Sequence, residues 1–254
     1  MRAAGPRPAH GPGRDRDADR QRAGGHGRRD HPVTDSAALR LVILISGRGS
    51  NMAAIAQACA SGRIAARVTR VIADRGDAAG LALARQLGIE ALAVPRQGFA
   101  DRDAFETELR RQIDQAAPDL VVLAGFMRVL GPEFVAAYAG RLLNIHPSLL
   151  PRHKGLGTHQ KVLDAGEREH GASVHFVTAE LDGGPVVLQA RVPVRTGDDV
   201  ERLSARVQRC EHIIYPQVVE WFASGRLRCG SAGIELDGQP LAAPLVEDFD
   251  GLCS

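Results

Sequence analysis

An uninterrupted apolar run at residues 41–45, LVILI, is followed at once by a glycine-containing turn. A strand buried on both faces of a parallel sheet shows such a run, because helices cover both of its sides. A helix-forming segment at 52–58 follows the turn. The pattern then repeats, with predicted strands at 68–72, 91–94 and 120–123 and predicted helices at 80–87 and 103–116. Alternating β and α segments predict an α/β fold with an open, mostly parallel twisted sheet flanked by helices.

The second half of the chain continues this sheet and ends in a long helix. From Val200 to Trp221 apolar residues recur every three or four positions, which is the period of a helix with one buried face, and Gly225 closes it. Asp103 and Glu106 predict a capping box at the start of the 103–116 helix. The other predicted elements are a helix at 131–138, strands at 141–145, 172–177 and 185–192, and a loop at 178–184.

Residues 1–38 differ in composition from everything that follows. They are rich in Gly, Pro, Arg and Asp and nearly free of large apolar side chains. Such a segment buries too little surface to offset the entropy lost on ordering. We therefore predict a disordered tail over 1–38 and one folded domain over 39–254. An incorrectly assigned translation start, with the true product beginning near Val33, explains the tail equally well.

Charge and composition argue against several classes of protein. The net charge is +2, but the first 32 residues contain eight Arg and four Asp, so the remainder carries −2. A mildly acidic chain with 4% aromatic residues is not typical of a nucleic-acid binder. No apolar run approaches the ~20 residues of a membrane helix. With no signal-peptide core, no C-x-x-C pair and no metal-ligand spacing among the histidines, we expect a cytoplasmic, metal-free protein that binds small molecules.

The turn at 46–51, SGRGSN, is a candidate phosphate site. It places glycines and small hydroxyl residues between a buried strand and a helix N-terminus, where free backbone N–H groups and the helix dipole attract anions. It matches neither the P-loop nor the complete dinucleotide motif, since Met52 and Ala53 replace the required residues. A tight turn with no ligand is the alternative.

A second candidate lies at 144–151, NIHPSLLP. Asn144 and His146 are two residues apart at the end of a predicted strand, so their side chains point to the same side. Ligands bind at that edge of open α/β sheets. An Asn amide can donate to a developing oxyanion and a His can transfer a proton, so the pair suits acyl transfer. A structural histidine is the alternative.

Two acidic residues complete the candidates. Asp182 lies in the loop sequence ELDGGP, where paired glycines let the backbone pass close to a ligand or another strand, although a surface turn has the same composition. Glu211 lies at the margin of the apolar stripe of the last helix and needs a partner there. It meets a ligand hydroxyl or amine, or else it pairs with an arginine or extends its carboxylate to solvent.

Four segments, taken together, resemble the folate-dependent formyltransferases in order and spacing. They are ISGRGSN at 45–51, LAGFMRVL at 123–130, NIHPSLLP at 144–151 and LDGGP at 181–185. The resemblance extends from about Leu41 to about Pro240. It implies a Rossmann-like formyltransferase fold and direct transfer of the formyl group of 10-formyltetrahydrofolate, a co-substrate, to the amine of glycinamide ribonucleotide. The reaction belongs to the synthesis of the purine nucleotide IMP and passes through a tetrahedral intermediate.

The resemblance also implies roles for individual residues. The catalytic residues would be Asn144, His146 and Asp182. The ribonucleotide would be bound by Gly49, Ser50, Asn51, Arg102 and Glu211. The folate would be bound by Phe126, Met127, Arg128, Val129, Leu130 and Asn144, with the 178–182 loop closing over the pteridine. One residue departs from the family: Gly157, in GLGTH, stands where many members have His.

Three other functions compete with this one. Methionyl-tRNA formyltransferase shares the Asn-His-Asp chemistry but carries a further RNA-binding domain, for which the roughly 30 residues after Leu227 leave no room. A formyltetrahydrofolate hydrolase needs only water in place of the amine, but usually has an amino-terminal regulatory domain. A catalytically silent folate- or phosphosugar-binding protein is the third, and retention of all three catalytic residue types argues against it. We expect a monomer or a weak homodimer.

Overall fold

The structure is a computed structural model that describes residues 38–250. Apart from Ala38, the predicted tail at 1–38 lies outside the described residues, and so do residues 251–254 of the predicted domain. Among the described residues, no helix combines the length and the apolar character needed to cross a membrane.

The first half of the described chain alternates strands and helices as predicted. Each predicted element is present, with ends that differ by a few residues. The elements are β1 (Leu39–Ile45), α1 (Ser50–Ala60), β2 (Ala66–Ala73), α2 (Ala79–Gln86), β3 (Ala91–Ala93), a 3-10 turn (Arg96–Gly98), α3 (Arg102–Gln115) and β4 (Leu120–Leu123).

The second half contains the predicted strands and the long helix, together with elements that the sequence patterns did not predict. The unpredicted ones are the short helix α5 and the four strands β8 to β11. In order, this half comprises α4 (Pro132–Ala137), β5 (Leu142–His146), α5 (Thr158–Asp164), β6 (Glu169–Phe176), β7 (Val186–Pro193), α6 (Val200–Ala223), β8 (Leu227–Gly230), β9 (Gly233–Leu236), β10 (Gln239–Pro240) and β11 (Leu245–Asp248).

Eight of the strands form one sheet in the order β11-β7-β6-β5-β4-β1-β2-β3. Pairing is parallel from β3 to β5 and between β7 and β11, and antiparallel at β5-β6 and β6-β7. The predicted open, mostly parallel sheet is thus confirmed. Because β1, β4 and β5 run in the same direction, their carboxyl ends meet at one edge, which is where the candidate residues lie.

Strand β1 explains why the apolar run is continuous. Leu41, Ile43 and Ile45 are buried in one hydrophobic cluster, which includes the inner face of α6, while Val42 and Leu44 are buried in a second cluster with residues of α3. A strand with a packed layer on each face has no solvent side on which to place polar residues. The run LVILI is the direct result.

The predicted capping box of α3 is wrong. The N-cap is Asp101, whose carboxylate accepts a hydrogen bond from the Ala104 backbone N–H at 2.8 Å. Glu106 is buried and instead accepts a hydrogen bond from the Gly131 N–H, also at 2.8 Å. A second acidic residue two positions before Asp103 satisfies the orphan donor first. The residue three positions after it is Ala104, so the helix has a single side-chain cap and no capping box.

Candidate active site

Asn144, His146 and Asp182 lie together at the carboxyl end of β5. The two-residue spacing on β5 directs the Asn144 and His146 side chains to one face, and the loop after β6 brings Asp182 to them. His146 Nδ1 is 3.5 Å from Asp182 Oδ2, and each of these side chains is only 8% exposed. An amide, an imidazole and a carboxylate are therefore assembled in a largely water-excluded place.

A fourth residue, His175 on β6, joins this group. Its Nδ1 is 2.9 Å from the Phe176 carbonyl oxygen, which can only accept, so Nδ1 carries the hydrogen. The bare Nε2 then accepts a hydrogen bond from Asn144 Nδ2 at 3.1 Å. Burial lowers the pKa of His175, which keeps the ring neutral. His175 thereby fixes the Asn144 amide with its second N–H free to donate elsewhere.

The orientation of His146 is set by the loop that follows β5. His146 Nε2 lies 3.0 Å from the His153 carbonyl oxygen, so this nitrogen also carries a hydrogen. Nδ1 faces the Asp182 carboxylate. Asp182 Oδ2 in turn accepts a hydrogen bond from the Gly155 N–H at 2.9 Å. The same loop therefore holds both the imidazole and the carboxylate.

The position of Asp182 depends on its glycine neighbours. Asp182 itself has a φ of 48°, a conformation that Asp tolerates better than most residues. At Gly184 an added Cβ would collide with the carbonyl oxygen of Phe176. The paired glycines predicted to allow a close approach thus do so, and the partner is the backbone at the end of β6.

The predicted phosphate turn has the geometry of an anion site. Gly49 is the N-cap of α1 with a φ of 76°, so the first N–H groups of this helix have no partner within the helix. The turn is held by a hydrogen bond from the Gly80 N–H to the Gly47 carbonyl at 3.0 Å. A side chain at Gly80 would collide with Ile45 and the turn. No local sequence pattern predicts this role of Gly80, because its partner Gly47 is distant in the chain.

Glu211 finds its partner in the first turn of α1. Asn51 Nδ2 donates to Glu211 Oε2 at 2.8 Å, and both side chains are buried. Burial raises the pKa of Glu211 to about 7, because the charged form is poorly solvated there. Neither alternative for its partner, an arginine or a ligand, predicted this amide. A ligand whose hydroxyl groups donate hydrogen bonds to Glu211 therefore favours the charged form of this carboxylate.

These residues line one cavity of about 570 Å³. The turn at 46–51 forms one wall and α6 another, where Gln208 Nε2 donates to Ser50 Oγ at 3.1 Å. Of the predicted ribonucleotide residues, the cavity brings together Gly49, Ser50, Asn51 and Glu211. Three arginines also line it: Arg48, Arg75 and Arg128. Cationic side chains and free N–H groups suit an anionic ligand.

Arg102 lies elsewhere. It begins α3, is 56% exposed, and lies 3.7 Å from Glu106 across one helical turn. It lines a separate cavity of about 170 Å³ together with Gly131, directly after the predicted folate segment. The structure does not bring Arg102 into the large cavity with the other predicted ribonucleotide residues.

The predicted folate residues surround a smaller cavity of about 90 Å³. It is bounded by Phe126, Arg128, Val129 and Leu130 on one side and by the 178–182 loop on the other, with Asn144, His175 and Asp182 at its inner end. Arg128 also lines the large cavity and forms an ion pair with the buried Asp74. Met127 lines the large cavity instead of the small one. Asn144 and Asp182 thus line the small cavity, while Ile145 and Pro147, the neighbours of His146 in the chain, line the large one.

Buried polar residues that sequence analysis missed hold this arrangement in place. Ser173 Oγ donates to the Ser148 carbonyl at 2.6 Å and accepts from the Leu150 N–H at 3.0 Å. Gln189 Nε2 donates to both Ser173 Oγ and the Leu150 carbonyl at 2.8 Å. These contacts fix the stretch between His146 and the Asp182-binding loop. No local sequence pattern predicts these contacts, because the loop after β5, strand β6 and strand β7 are distant from one another in sequence.

Gly157 has a structural explanation in this chain. It is the N-cap of α5 with a φ of 72°, where a residue with a Cβ is strained. Two residues later His159 lines the large cavity, and its Nδ1 lies 2.9 Å from Nε2 of His170. Burial lowers the pKa of His170 to about 3. The pair is therefore neutral and shares a single hydrogen between the two facing nitrogens.

No group of three or more His, Cys, Asp or Glu between residues 38 and 250 is arranged to hold a metal ion.

Comparison with known proteins points to one kind of enzyme. Residues 39–219 match the sequence model of the formyl transferase family. The chain is 55% identical to the phosphoribosylglycinamide formyltransferase of Escherichia coli (strain K12) over 203 residues, 80% of this chain and 96% of that protein. It is 44% identical to the Haemophilus influenzae enzyme of the same name, over 80% of this chain and 95% of the relative. A solved phosphoribosylglycinamide formyltransferase from Coxiella burnetii superposes with a TM-score of 0.78 at 48% identity, covering 82% of this chain and 99% of the other.

Proposed function

The chain belongs to the formyl transferase family, and from that premise we propose that its site transfers the formyl group of 10-formyltetrahydrofolate to the amine of glycinamide ribonucleotide. The observation that carries the proposal is the grouping of Asn144, His146 and Asp182 beside two cavities: Asn144 and Asp182 line the small one, and Ile145 and Pro147, on either side of His146, line the large one. The anion-binding cavity supports binding of a phosphorylated amine. The second cavity supports binding of the formyl donor.

The first chemical step is attack of the neutral amine on the formyl carbon. A C–N bond forms, and the carbonyl electrons move to the oxygen of a tetrahedral intermediate. The free N–H of Asn144, oriented by His175, donates to this oxyanion. A protonated His146 donates to it through Nδ1, because its Nε2–H is already donated to the His153 carbonyl. The Asn144 donor is in place before the reaction, so it needs little reorganisation when the charge develops.

Proton transfer completes the reaction. Asp182, directly or through a water molecule, accepts the proton that the amine sheds on attack. Its carboxylate lies 3.5 Å from His146 Nδ1. When the intermediate collapses, the bond to N10 of the folate breaks and His146 supplies a proton to that nitrogen. Each proton lost by the amine is matched by one gained by the leaving group.

Binding of the ribonucleotide is proposed for the large cavity. The N–H groups at Gly49, Ser50 and Asn51 would hold the phosphate at the N-terminus of α1, and Glu211 would accept hydrogen bonds from the ribose hydroxyls. The folate would lie against 126–130, with the 178–182 loop over the pteridine. For Arg102, its position beside Gly131 favours a contact at the folate end over the predicted ribonucleotide contact.

Two further features belong to the same proposal. We infer a cytoplasmic location, which the reduced thiols of Cys59 and Cys229 support. We also infer a monomer or a weak homodimer.

One assay tests the proposal. Formyl release from 10-formyltetrahydrofolate is followed by absorbance, with and without glycinamide ribonucleotide. Release that requires the ribonucleotide is the expected result. Equal release in its absence would establish a hydrolase instead, and no release in either case would establish a protein that only binds these ligands.

A further inference from the structure

Glu167, which follows α5 and lines neither cavity, is bonded to two consecutive residues of the loop after β5. Arg152 Nη1 is 3.1 Å from Glu167 Oε2, and His153 Nε2 is 2.6 Å from Glu167 Oε1. The Glu167 and His153 side chains are 23% and 19% exposed, so water screens this contact less than it screens a fully exposed ion pair. The carboxylate therefore holds the loop from outside the site.

The loop residue that Glu167 holds is the one that contacts His146. The His153 carbonyl oxygen lies 3.0 Å from His146 Nε2 and can only accept. This contact places the ring hydrogen on Nε2 and turns Nδ1 towards Asp182. Two hydrogen bonds thus connect Glu167 with His146: one through the His153 side chain and one through its backbone.

The backbone of His153 needs such support. Its φ is 51°, in the left-handed region that is unfavourable for a residue with a Cβ. A short hydrogen bond from its side chain to a carboxylate offsets this cost. Without it, the peptide whose carbonyl faces His146 is less stable in this conformation.

We propose that Glu167 is a positioning residue for His146, acting through His153. The proposal rests on the proposed role of His146 as proton donor. The carboxylate fixes His153, the His153 carbonyl fixes the ring of His146 with its hydrogen on Nε2, and Nδ1 then faces Asp182. Loss of Glu167 leaves the ligand cavities intact and lets the ring of His146 exchange between its two tautomers.

The direct test is NMR of the imidazole nitrogens in the full chain labelled with nitrogen-15. In the wild type, the signals of His146 are those of a ring protonated at Nε2. In Glu167→Ala they become the average of exchanging tautomers. Glu169→Ala is the matched control, because Glu169 is exposed and pairs only at 3.8 Å with Arg191. An unchanged His146 pattern in folded Glu167→Ala would overturn the proposal.

Kinetics give the second test. In Glu167→Ala we expect kcat to fall roughly tenfold, with KM for both substrates within about twofold, because misorientation affects the chemical step more than binding. Glu167→Gln keeps an acceptor for His153 Nε2 and should lose less than about threefold. A fall in activity that only follows the unfolded fraction, with normal His146 signals, would assign Glu167 a purely structural role.

A double variant distinguishes this connection from general loosening of the loop. His153→Gly removes the side chain that Glu167 holds and tolerates the positive φ. If both residues act through the same hydrogen bond, the double variant loses no more activity than either single one. Additive losses would contradict the proposal. If the wild type shows no ribonucleotide-dependent transfer, the proposed function fails, while the NMR result still decides whether Glu167 positions His146.

Discussion

The two cavities of the site are built in different ways. Two walls of the large one are a tight turn between β1 and α1 and one face of α6, and Met127 and Arg128 complete it. The small one is bounded on two sides by segments without helix or strand, 126–130 and 178–182, and Asn144 of β5 and His175 of β6 complete it. Backbone groups at a helix end are placed by the helix itself, whereas loops are placed by whatever they contact.

Substitutions in the two cavities should therefore have different effects. In the large cavity, the proposed ligand contacts are side chains such as Glu211 on a helix and backbone groups at a helix end. Around Asp182, position and chemistry depend on the same loop, since glycines at 183 and 184 set where the carboxylate lies. Substitutions in the large cavity should therefore change binding separately from folding. Substitutions around Asp182 should change position and chemistry together.

Asp182→Asn should give the largest effect. The amide keeps the size of the side chain and can accept from the Gly155 N–H, but it cannot take a proton. We expect kcat to fall by about 10³-fold with ribonucleotide binding almost unchanged. Single-turnover kinetics and calorimetric titration measure the two quantities. Asp164→Asn, on the exposed face of α5, is the control, and unaltered turnover in Asp182→Asn would remove this residue from the mechanism.

Glu211→Gln should affect binding and leave the chemistry intact. At pH 8 we expect the affinity for the ribonucleotide to fall about tenfold, because ribose hydroxyls then face a neutral amide in place of a carboxylate. Since burial raises the pKa of Glu211 to about 7, the wild type should lose this advantage as the pH falls below 7. Glu220→Gln on the same helix is the control. A tenfold loss that persists at pH 5.5 would contradict the charge argument.

The same variant should have the opposite effect on stability. The folded state holds a proton on Glu211 up to about pH 7, whereas the unfolded chain releases it near the ordinary value of 4.5. Stability therefore decreases as the pH rises between these values, by at most about 3 kcal/mol. Glu211→Gln should melt at a higher temperature than the wild type at pH 8 and at the same temperature at pH 4.5. Equal melting temperatures at pH 8 would show that the carboxylate is better solvated than its burial indicates.

Several features of the fold and the site were predictable because their causes lie within a few residues of sequence. The apolar run of β1, the turn at 46–51 and the spacing of Asn144 and His146 each follow from strand and helix periodicity within a few residues. The partner of Glu211 was not predictable. Asn51 is 160 residues away, and nothing in either local sequence indicates that α1 and α6 pack side by side.

The surroundings of Asp182 were still harder to predict. The glycines after Asp182 indicated a close approach, but only the structure shows that it is to Phe176. The network of Ser173 and Gln189 lies on strands whose pairing is antiparallel within an otherwise parallel region. Helix α5 and strand β11 are seven and four residues long, too short for periodicity to reveal.

Gly184→Ala tests whether position and chemistry are inseparable near Asp182. The added Cβ would collide with the Phe176 carbonyl, so the loop or the end of β6 must move. We expect a loss of about 3 kcal/mol in the free energy of unfolding, together with a loss of kcat in the protein that remains folded. Denaturant titration and kinetics measure both. Normal kcat in a destabilised protein would show that Asp182 can keep its place by other contacts.

Gly157→Ala is the matched substitution with the smallest expected effect. Its φ of 72° is as unfavourable for alanine as a left-handed position elsewhere, but no atom lies within 4 Å of the added Cβ. The cost is therefore backbone strain alone, about 1 kcal/mol in the free energy of unfolding, with kcat unchanged. Because both variants replace glycine by alanine, the difference between them isolates steric contact from backbone strain. If Gly157→Ala lowers kcat as much as Gly184→Ala, then flexibility at 157, and not the place of Asp182, controls the catalytic loop.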